Sequence, residues 1–147
     1  MTFFCWKCFA EIESLSTTCQ SCGATPDHND FTYTEKLRGA LAHPLVETRR
    51  RAIFLIGEKR IAEAVVDLSL IIVGESDPFL AEEAAIALGK IGNEPALYAL
   101  TAGARHRSFM VRARALEALS AAGGYWARLA RNWARSDPSA AVRRGLA

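Results

Sequence analysis

The chain has 147 residues, of which 50% are hydrophobic, and a formal net charge of +2. This length allows one domain with a buried core and a small appendage. The longest apolar run, residues 68–74, is far shorter than the roughly 20 residues that span a bilayer, and the N-terminus lacks the pattern of a signal peptide. We therefore predict a cytoplasmic protein with no membrane segment.

The four cysteines form two Cys-x-x-Cys pairs, Cys5 with Cys8 and Cys19 with Cys22, and no cysteine follows them. Each pair places two thiolates on one tight turn, and two facing turns supply the four sulfur ligands that a structural zinc ion prefers. The alternatives are two disulfides in a secreted domain, or iron. Because four sulfurs leave no open coordination position, the sequence predicts one structural Zn²⁺ without catalytic chemistry. Residues 1–25 resemble a zinc ribbon, which folds as it binds its metal.

Aromatic residues surround the first cysteine pair: Phe3, Phe4, Trp6 and Phe9. We expect them to cover the thiolates and to pack against the next module, with an exposed contact for a partner as the alternative role. Residues 26–32 are predicted to be a linker, because the segment begins with a proline and is rich in turn-forming residues.

From residue 33 to residue 147 the chain has helical periodicity and a repeating unit. In the clearest unit, Asp77 and Pro78 begin a helix and Gly92 ends it, before a second helix begins. The same helix pair recurs on both sides with a period of about 30 residues, which predicts an all-α solenoid of three helix pairs. The positions that we align between units are Val46, Leu80, Val111 and Val142, and the glycines that we place at the ends of first helices are Gly57, Gly92 and Gly123.

The two ends of the solenoid are expected to differ from the repeated unit. A lone helix over residues 34–42 precedes the first pair, and residues 138–147 form the first helix of an incomplete fourth pair. We expect this last helix to cap the core through Val142 and Leu146, which lie four residues apart on one side.

The run from Asp77 to Leu100 resembles the short HEAT-like repeats of phycobilisome-lyase type, whose motif is roughly D-P-x-V-R-x-x-A-x-x-A-L-G-x-I-G-x-x-x-A-x-x-x-L. The match is weaker in the other units, where His43 replaces the aspartate of the first and Ser108-Phe109 replaces the Asp-Pro of the third. The resemblance implies a protein-binding scaffold. Minorities of such arrays act as bilin lyases, as enzyme-maturation accessories or as DNA glycosylases.

Charge is divided unevenly along the chain, with a balance of −5 over residues 1–100 and +7 over residues 101–147. All nine basic residues of the second segment are arginines, which bind phosphate and carboxylate bidentately and therefore indicate an acidic partner. Arg128, Arg131 and Arg135 share one helix face, which the resemblance places on the concave side of the array. The predicted basic contacts are Arg105, Arg107, Arg128, Arg131 and Arg135, and the predicted aromatic contacts are Trp6, Phe109 and Tyr125.

Two alternatives apply to these arginines. The exposed ones form an ordinary solvated helix face, or the excess reflects biased codon usage across the chain, which has 14 Arg and 4 Lys. Arg112 and Arg143 occupy the arginine position of the motif, where the resemblance implies contacts between repeats.

We predict no enzymatic activity and no small-molecule substrate. The histidines His28, His43 and His106 lie in predicted loops or at helix starts without a partner carboxylate, which is typical of caps or surface residues. Trp126 and Trp133 have the spacing of a buried stripe, which favours core packing over a base-binding role.

The sequence thus predicts a non-catalytic adaptor that binds another protein through its solenoid. One alternative is an RNA- or DNA-binding protein that uses the C-terminal arginines. A second alternative, an accessory factor of a cofactor-loading or bilin lyase enzyme, is implied by the resemblance alone.

Overall fold

A computed structural model describes residues 3–14, 18–25 and 31–145 of the chain. The helices are α1 (Tyr33–Ala40), α2 (Val46–Glu58), α3 (Val65–Gly74), α4 (Pro78–Ile91), α5 (Glu94–Gly103), α6 (Phe109–Ala121), α7 (Gly124–Arg135) and α8 (Ala140–Gly145). A 3-10 turn, Ala62–Ala64, precedes α3. Two short strands, β1 (Phe3–Phe4) and β2 (Glu11–Ile12), pair antiparallel at the N-terminus. Among the described residues, none of the helices has the length and apolarity needed to cross a membrane.

The central helix pair begins and ends where its capping residues predict. The Asp77 side chain accepts a hydrogen bond from the Phe79 N–H at 2.9 Å, with Pro78 in the first helical turn of α4. Gly92 ends α4 in the left-handed conformation, with φ of 63°. The Asn93 side chain then accepts from the Ala96 N–H at 2.9 Å and begins α5. The expected lone helix is also present as α1.

The helices form two layers with the apolar core between them, which confirms the all-α solenoid. The first helices of the units, α2, α4, α6 and α8, contact one another in that order. The second helices α3 and α5 contact each other, α3 also packs on α4, α5 packs on α4 and α6, and α7 packs chiefly on α6. Val142 of α8 is 2% exposed in this core, as expected of a cap, while Leu146 lies outside the described residues. The large core residues with at most 1% exposure are Ile53, Ile56, Leu68, Ile72, Leu80, Leu88, Leu100, Val111, Leu116 and Leu119.

Two glycines let the first helices approach closely. A Cβ atom on Gly57 would lie 2.9 Å from Cα of Ala87 in the next first helix, and one on Gly89 would lie 2.8 Å from Cβ of Ala118. Neither position has room for a side chain. The two glycines therefore occupy equivalent positions, 32 residues apart, and set the register between the first two units.

This register corrects two sequence predictions. Val46 is 40% exposed, whereas Leu80 is 1% exposed, so the alignment of these two residues is wrong. The residue equivalent to Leu80 is Thr48, and Arg49 therefore fills the motif-arginine position of the first unit. Gly57 lies within α2 and does not end it.

Gly123 likewise does not end a first helix. The helix before it, α6, ends at Ala121, and Gly123 is the residue that precedes α7. Gly57 is required by the close approach of α4, whereas Gly123 has a positive φ of 77° at the start of α7.

The turn before each first helix is built in the same way in all four units. In each turn, the backbone N–H of the residue just before the helix donates a hydrogen bond to the side chain two residues earlier. The accepting residues recur at intervals of 31 or 32 residues. The acceptor pairs are His43 Nδ1 with Leu45 N–H (3.1 Å), Glu75 Oε1 with Asp77 N–H (3.1 Å), His106 Nδ1 with Ser108 N–H (3.0 Å) and Asp137 Oδ1 with Ser139 N–H (2.8 Å). His43 and His106, predicted to be caps or surface residues, thus accept backbone hydrogen bonds at the starts of helices, and His28 lies outside the described residues.

Two of these turns also receive an arginine from the preceding first helix. Arg49 donates to the Glu75 carboxylate at 2.6 Å, and Arg112 donates to both carboxylate oxygens of Asp137 at 2.7 and 2.9 Å. The contact between units that the resemblance implies for Arg112 is therefore present. Arg143 instead donates to the backbone carbonyls of its own turn, Asp137 and Pro138.

The pair of Arg112 and Asp137 is the most buried ion pair among the described residues, with side-chain exposures of 12% and 5%. The hydrogen bonds from Arg112 lower the pKa of Asp137, against the opposing effect of burial, and the Ser139 N–H adds to the lowering. The carboxylate therefore stays ionised and holds α8 against α6.

Replacing Asp137 with asparagine should lower the free energy of unfolding at pH 7 by about 3 kcal/mol, because it leaves the charge of Arg112 uncompensated in a nearly buried position. Since the folded pKa of Asp137 is lowered, its contribution is present above its unfolded pKa of about 4 and is lost as the pH falls through the folded value. The difference between wild type and Asp137→Asn should therefore shrink towards low pH. Urea denaturation at pH 7 and at pH 3 measures both effects.

Glu117→Gln is the matched control, since Glu117 also pairs with an arginine, Arg114, but is 49% exposed. An exposed pair contributes at most about 1 kcal/mol, so this variant should unfold almost as wild type does. Equal losses in the two variants would contradict the structural role of the Asp137 pair.

Candidate functional site

The four cysteines come together at one point in the N-terminal module. Their sulfur atoms all lie within 4.8 Å of one another, with Cys5 Sγ 3.7 Å from Cys22 Sγ and Cys8 Sγ 3.7 Å from Cys19 Sγ. These separations exclude S–S bonds, which are about 2.0 Å long. They agree with the edge of about 3.8 Å that four sulfurs form around an ion at about 2.3 Å from each. The cluster can therefore hold a tetrahedral metal ion.

The two Cys-x-x-Cys turns have the same backbone. Cys5 N–H donates to the Ala10 carbonyl and Phe9 N–H to the Cys5 carbonyl, and the second turn repeats both bonds between Cys19, Gly23 and Ala24, all at 2.9 Å. Gly23 has φ of 71°, and Phe9 occupies the same left-handed position with φ of 58°. A left-handed residue other than glycine costs roughly 1–2 kcal/mol, so the Phe9 ring must contribute a contact that offsets this strain.

The electrostatics of the cluster suit a cation. Burial acts to raise the pKa of the Cys5 thiol, but hydrogen bonds from the Cys8 and Lys7 N–H groups and from the neighbouring thiols lower it to about 6. Cys22 shifts the other way: the Ala24 N–H lowers its pKa, but burial and the neighbouring sulfurs raise it to about 12. The opposite shifts arise because one thiolate opposes the ionisation of the next, and a bound metal ion removes that opposition.

Aromatic contacts fix this module on the helical array. The rings of Phe4 and Phe9 meet the imidazole of His43 edge-on, with centroid separations of 5.0 and 5.1 Å. Trp6 packs on Phe31 at 4.7 Å and donates its indole N–H to a backbone carbonyl within the module at 2.8 Å. The expected packing of the aromatic residues on the next module is confirmed for Phe4 and Phe9. Trp6, predicted as a partner contact, is half-buried.

The predicted arginine face lies on α7. Arg128, Arg131 and Arg135 are exposed and form no ion pair with any carboxylate that the structure describes. The opposite side of α7 carries Trp126 and Trp133, which are half-buried against the core, so the predicted packing role of the tryptophans is confirmed.

The other two predicted arginines lie just after α5. The guanidinium of Arg105 stacks on the Trp133 ring at 4.9 Å from its centroid, which brings Arg105 next to α7. Arg107 donates to the Ser76 carbonyl at 3.2 Å. Neither residue is ion-paired with a described carboxylate, so both retain their charge for an external anion.

A comparison with protein families agrees with this architecture. The model of HEAT repeats matches residues 34–120, which is more than half of the chain. The chain belongs to the HEAT-repeat family. HEAT repeats commonly mediate protein interactions and are typically non-catalytic, and the cysteine cluster lies outside the matched region. No curated protein matches the chain.

The HEAT array exposes more apolar surface than the sequence analysis predicted. Of the predicted aromatic contacts, Phe109 is 48% exposed and Tyr125 is 61% exposed. Sequence analysis missed Val66, Leu70 and Val73 of α3, which are 67%, 66% and 71% exposed. Their spacing of four and then three residues in an otherwise apolar helix is a signal of a second apolar face.

Proposed function

We propose that the protein is a non-catalytic adaptor that binds another protein through the exposed side of its HEAT array. The observation that carries this proposal is the solvent-facing side of α3. That helix buries Val65, Leu68 and Ile72 on one side and leaves three aliphatic side chains more than 60% exposed on another. An exposed row of aliphatic side chains on a helix that already buries its core-facing side is normally covered, so a partner surface is the natural cover.

The N-terminal module is proposed to be a zinc ribbon in which Cys5, Cys8, Cys19 and Cys22 hold one structural Zn²⁺. Four thiolates with tetrahedral spacing fill the coordination sphere, so the ion would stabilise the fold and would not meet a substrate. The docking of Phe4 and Phe9 on His43 supports a structural role, because it connects the metal-bound turns to the first repeat.

Purified protein should contain one zinc per chain by elemental analysis. Removing the zinc with a chelator should abolish hydrogen-exchange protection of the Cys5, Phe9, Cys19 and Gly23 amides, because the module is too small to fold on apolar burial alone. Protection of α4 and α6 should remain. Ser21→Ala, an exposed change inside the second turn, is the control that should keep the metal, whereas Cys19→Ser should lose it. Absence of zinc, or two disulfides by mass spectrometry, would contradict the proposal.

The adaptor function predicts a protein complex that survives nuclease. Affinity capture from source-cell extract should retain at least one protein after nuclease treatment, and Leu70→Ser should weaken its binding about tenfold or more, the scale of an interface hot spot. Phe79→Ser on α4 is the matched control, because Phe79 is 58% exposed in the other helix layer. Substitution of either exposed residue should change stability by no more than about 0.5 kcal/mol. If no protein is retained after nuclease treatment, the adaptor function is rejected.

The second candidate function is nucleic-acid binding, which the unpaired arginines of α7 favour. Phosphate contacts by arginine release counterions, so affinity falls steeply with salt concentration. A cytoplasmic location and the accessory role in cofactor or bilin loading stay predictions from the sequence.

If α7 binds nucleic acid, the protein should bind a single-stranded oligothymidine at low salt. Changing Arg128, Arg131 and Arg135 to glutamine should reduce the slope of log affinity against log salt by about 2, since each single-strand phosphate contact contributes about 0.7. The control is Arg51→Gln with Arg60→Gln, two exposed arginines outside α7. Fluorescence polarisation measures both, and no binding at low salt would reject this function.

A further inference from the structure

The second helices of the three units present equivalent side chains to solvent. Their register follows from the core residues Leu68, Leu100 and Ala130, which are each 0% exposed and lie 32 and 30 residues apart. Counted from these positions, nine exposed residues align in three sets of three. We call them the outer row: Val66, Leu70 and Val73 of α3, Tyr98, Ala102 and Arg105 of α5 and its end, and Arg128, Asn132 and Arg135 of α7.

The chemistry of the outer row changes steadily from one helix to the next. The α3 set is entirely aliphatic. The α5 set combines Tyr98, which is 72% exposed, with a small residue and one arginine. The α7 set is entirely polar and carries two cations, with Arg131 as a third on the adjacent position. No carboxylate belongs to the row. The nearest acidic residues along the chain are Asp67, Glu75 and Asp137, and each of them is paired with an arginine outside the row: Arg38, Arg49 and Arg112 respectively.

The three sets lie on successive helices of the second layer. α3 packs on α5, and a cavity of about 510 Å³ between their C-terminal ends is lined by both Val73 and Arg105. Arg105 also stacks on Trp133, which lies on the side of α7 opposite Arg128 and Arg135, so the α5 set lies beside α7. The aliphatic α3 set and the cationic α7 set therefore lie at the two ends of the second-helix layer, with the α5 set between them.

The cations of the row differ from several arginines of the first helices. Arg49, Arg50 and Arg114 on the first helices each pair with a carboxylate. Arg128 and Arg135 pair with none of the described carboxylates, and α7 itself has no acidic residue. A ligand for the whole row must therefore supply negative charge over α7 and apolar side chains over α3.

We propose that the outer row is a docking surface for an acidic amphipathic segment of a protein, which places apolar side chains on α3 and Tyr98 and carboxylates on Arg105, Arg128 and Arg135. This inference rests on the proposed adaptor function and specifies its partner. Neighbouring helices pack about 8–10 Å apart, so the row extends over roughly 20 Å, the length of about 13 helical residues. A nucleic acid would satisfy the arginines but would leave the aliphatic third of the row exposed.

The proposal can be tested with the full-length, zinc-loaded protein and a phage library of random 15-residue peptides. Selected peptides should be enriched in Asp and Glu and should carry apolar residues towards one end. Synthetic copies of these peptides should bind the Arg128→Gln/Arg135→Gln variant and the Leu70→Ser variant about tenfold more weakly than wild type. The first variant removes the charged contacts of the row, and the second removes an apolar contact. Arg51→Gln/Arg60→Gln and Phe79→Ser, the matched controls, should bind as wild type does.

Four results would overturn the proposal. The first two are that the library yields no binding peptide, or that the selected peptides lack an acidic excess. The third is that the row variants bind the peptides as well as the control variants do. The fourth is that substituting the row residues weakens binding to oligothymidine, or to vesicles of phosphatidylcholine and phosphatidylglycerol in equal amounts, more than it weakens binding to the peptides. Failure here is separable from failure of the adaptor function. A nuclease-resistant protein complex that forms while the peptide test fails leaves the adaptor function standing and places its interface elsewhere.

Discussion

The close contact of first helix with first helix determines the geometry of the whole array. At Gly57 and Gly89 there is no space for a side chain, so α2 lies directly against α4 and α4 directly against α6. This contact fixes the register between units, which in turn places each interhelical turn beside the first helix of the preceding unit. The two buried salt bridges and the alignment of the second helices both follow from that register.

Within this register, the acceptor in each turn depends on the residue that faces it. Where the preceding first helix carries Arg49 or Arg112, the turn holds a carboxylate; where the equivalent position is Ala81, the turn holds His106. A half-buried carboxylate needs a cation close to it, whereas a neutral imidazole accepts the same backbone hydrogen bond without one. Burial lowers the pKa of His106, and the charges of Arg107 and Arg112 lower it further, which favours the neutral acceptor form.

The sequence predicted those features that depend on local chemistry. The central helix pair was found from its caps, and the cysteine cluster from two short turns. The equivalence of Arg49 with Arg112 was missed. Val46 was aligned with Leu80 and Val111 because it is apolar, but the register set by the neighbouring helix makes Thr48 the equivalent residue instead. The packing of Phe9 on the next module was expected, but its partner His43 was not, because the contact joins residues 34 positions apart.

The arginines of the chain fall into two classes with different physical roles. Arg49, Arg50, Arg112 and Arg114 on the first helices pair with carboxylates of the same array, so their charge is satisfied internally whatever else the protein binds. Those of the outer row lie on or just after second helices and pair with no carboxylate that the structure describes. Biased codon usage would raise the arginine content on both layers alike and would not by itself produce a gradient from aliphatic to cationic side chains along equivalent positions. An acidic amphipathic partner matches both ends of that gradient. Its apolar side chains can be buried against the aliphatic residues of α3, and its carboxylates can be neutralised by the arginines of α7.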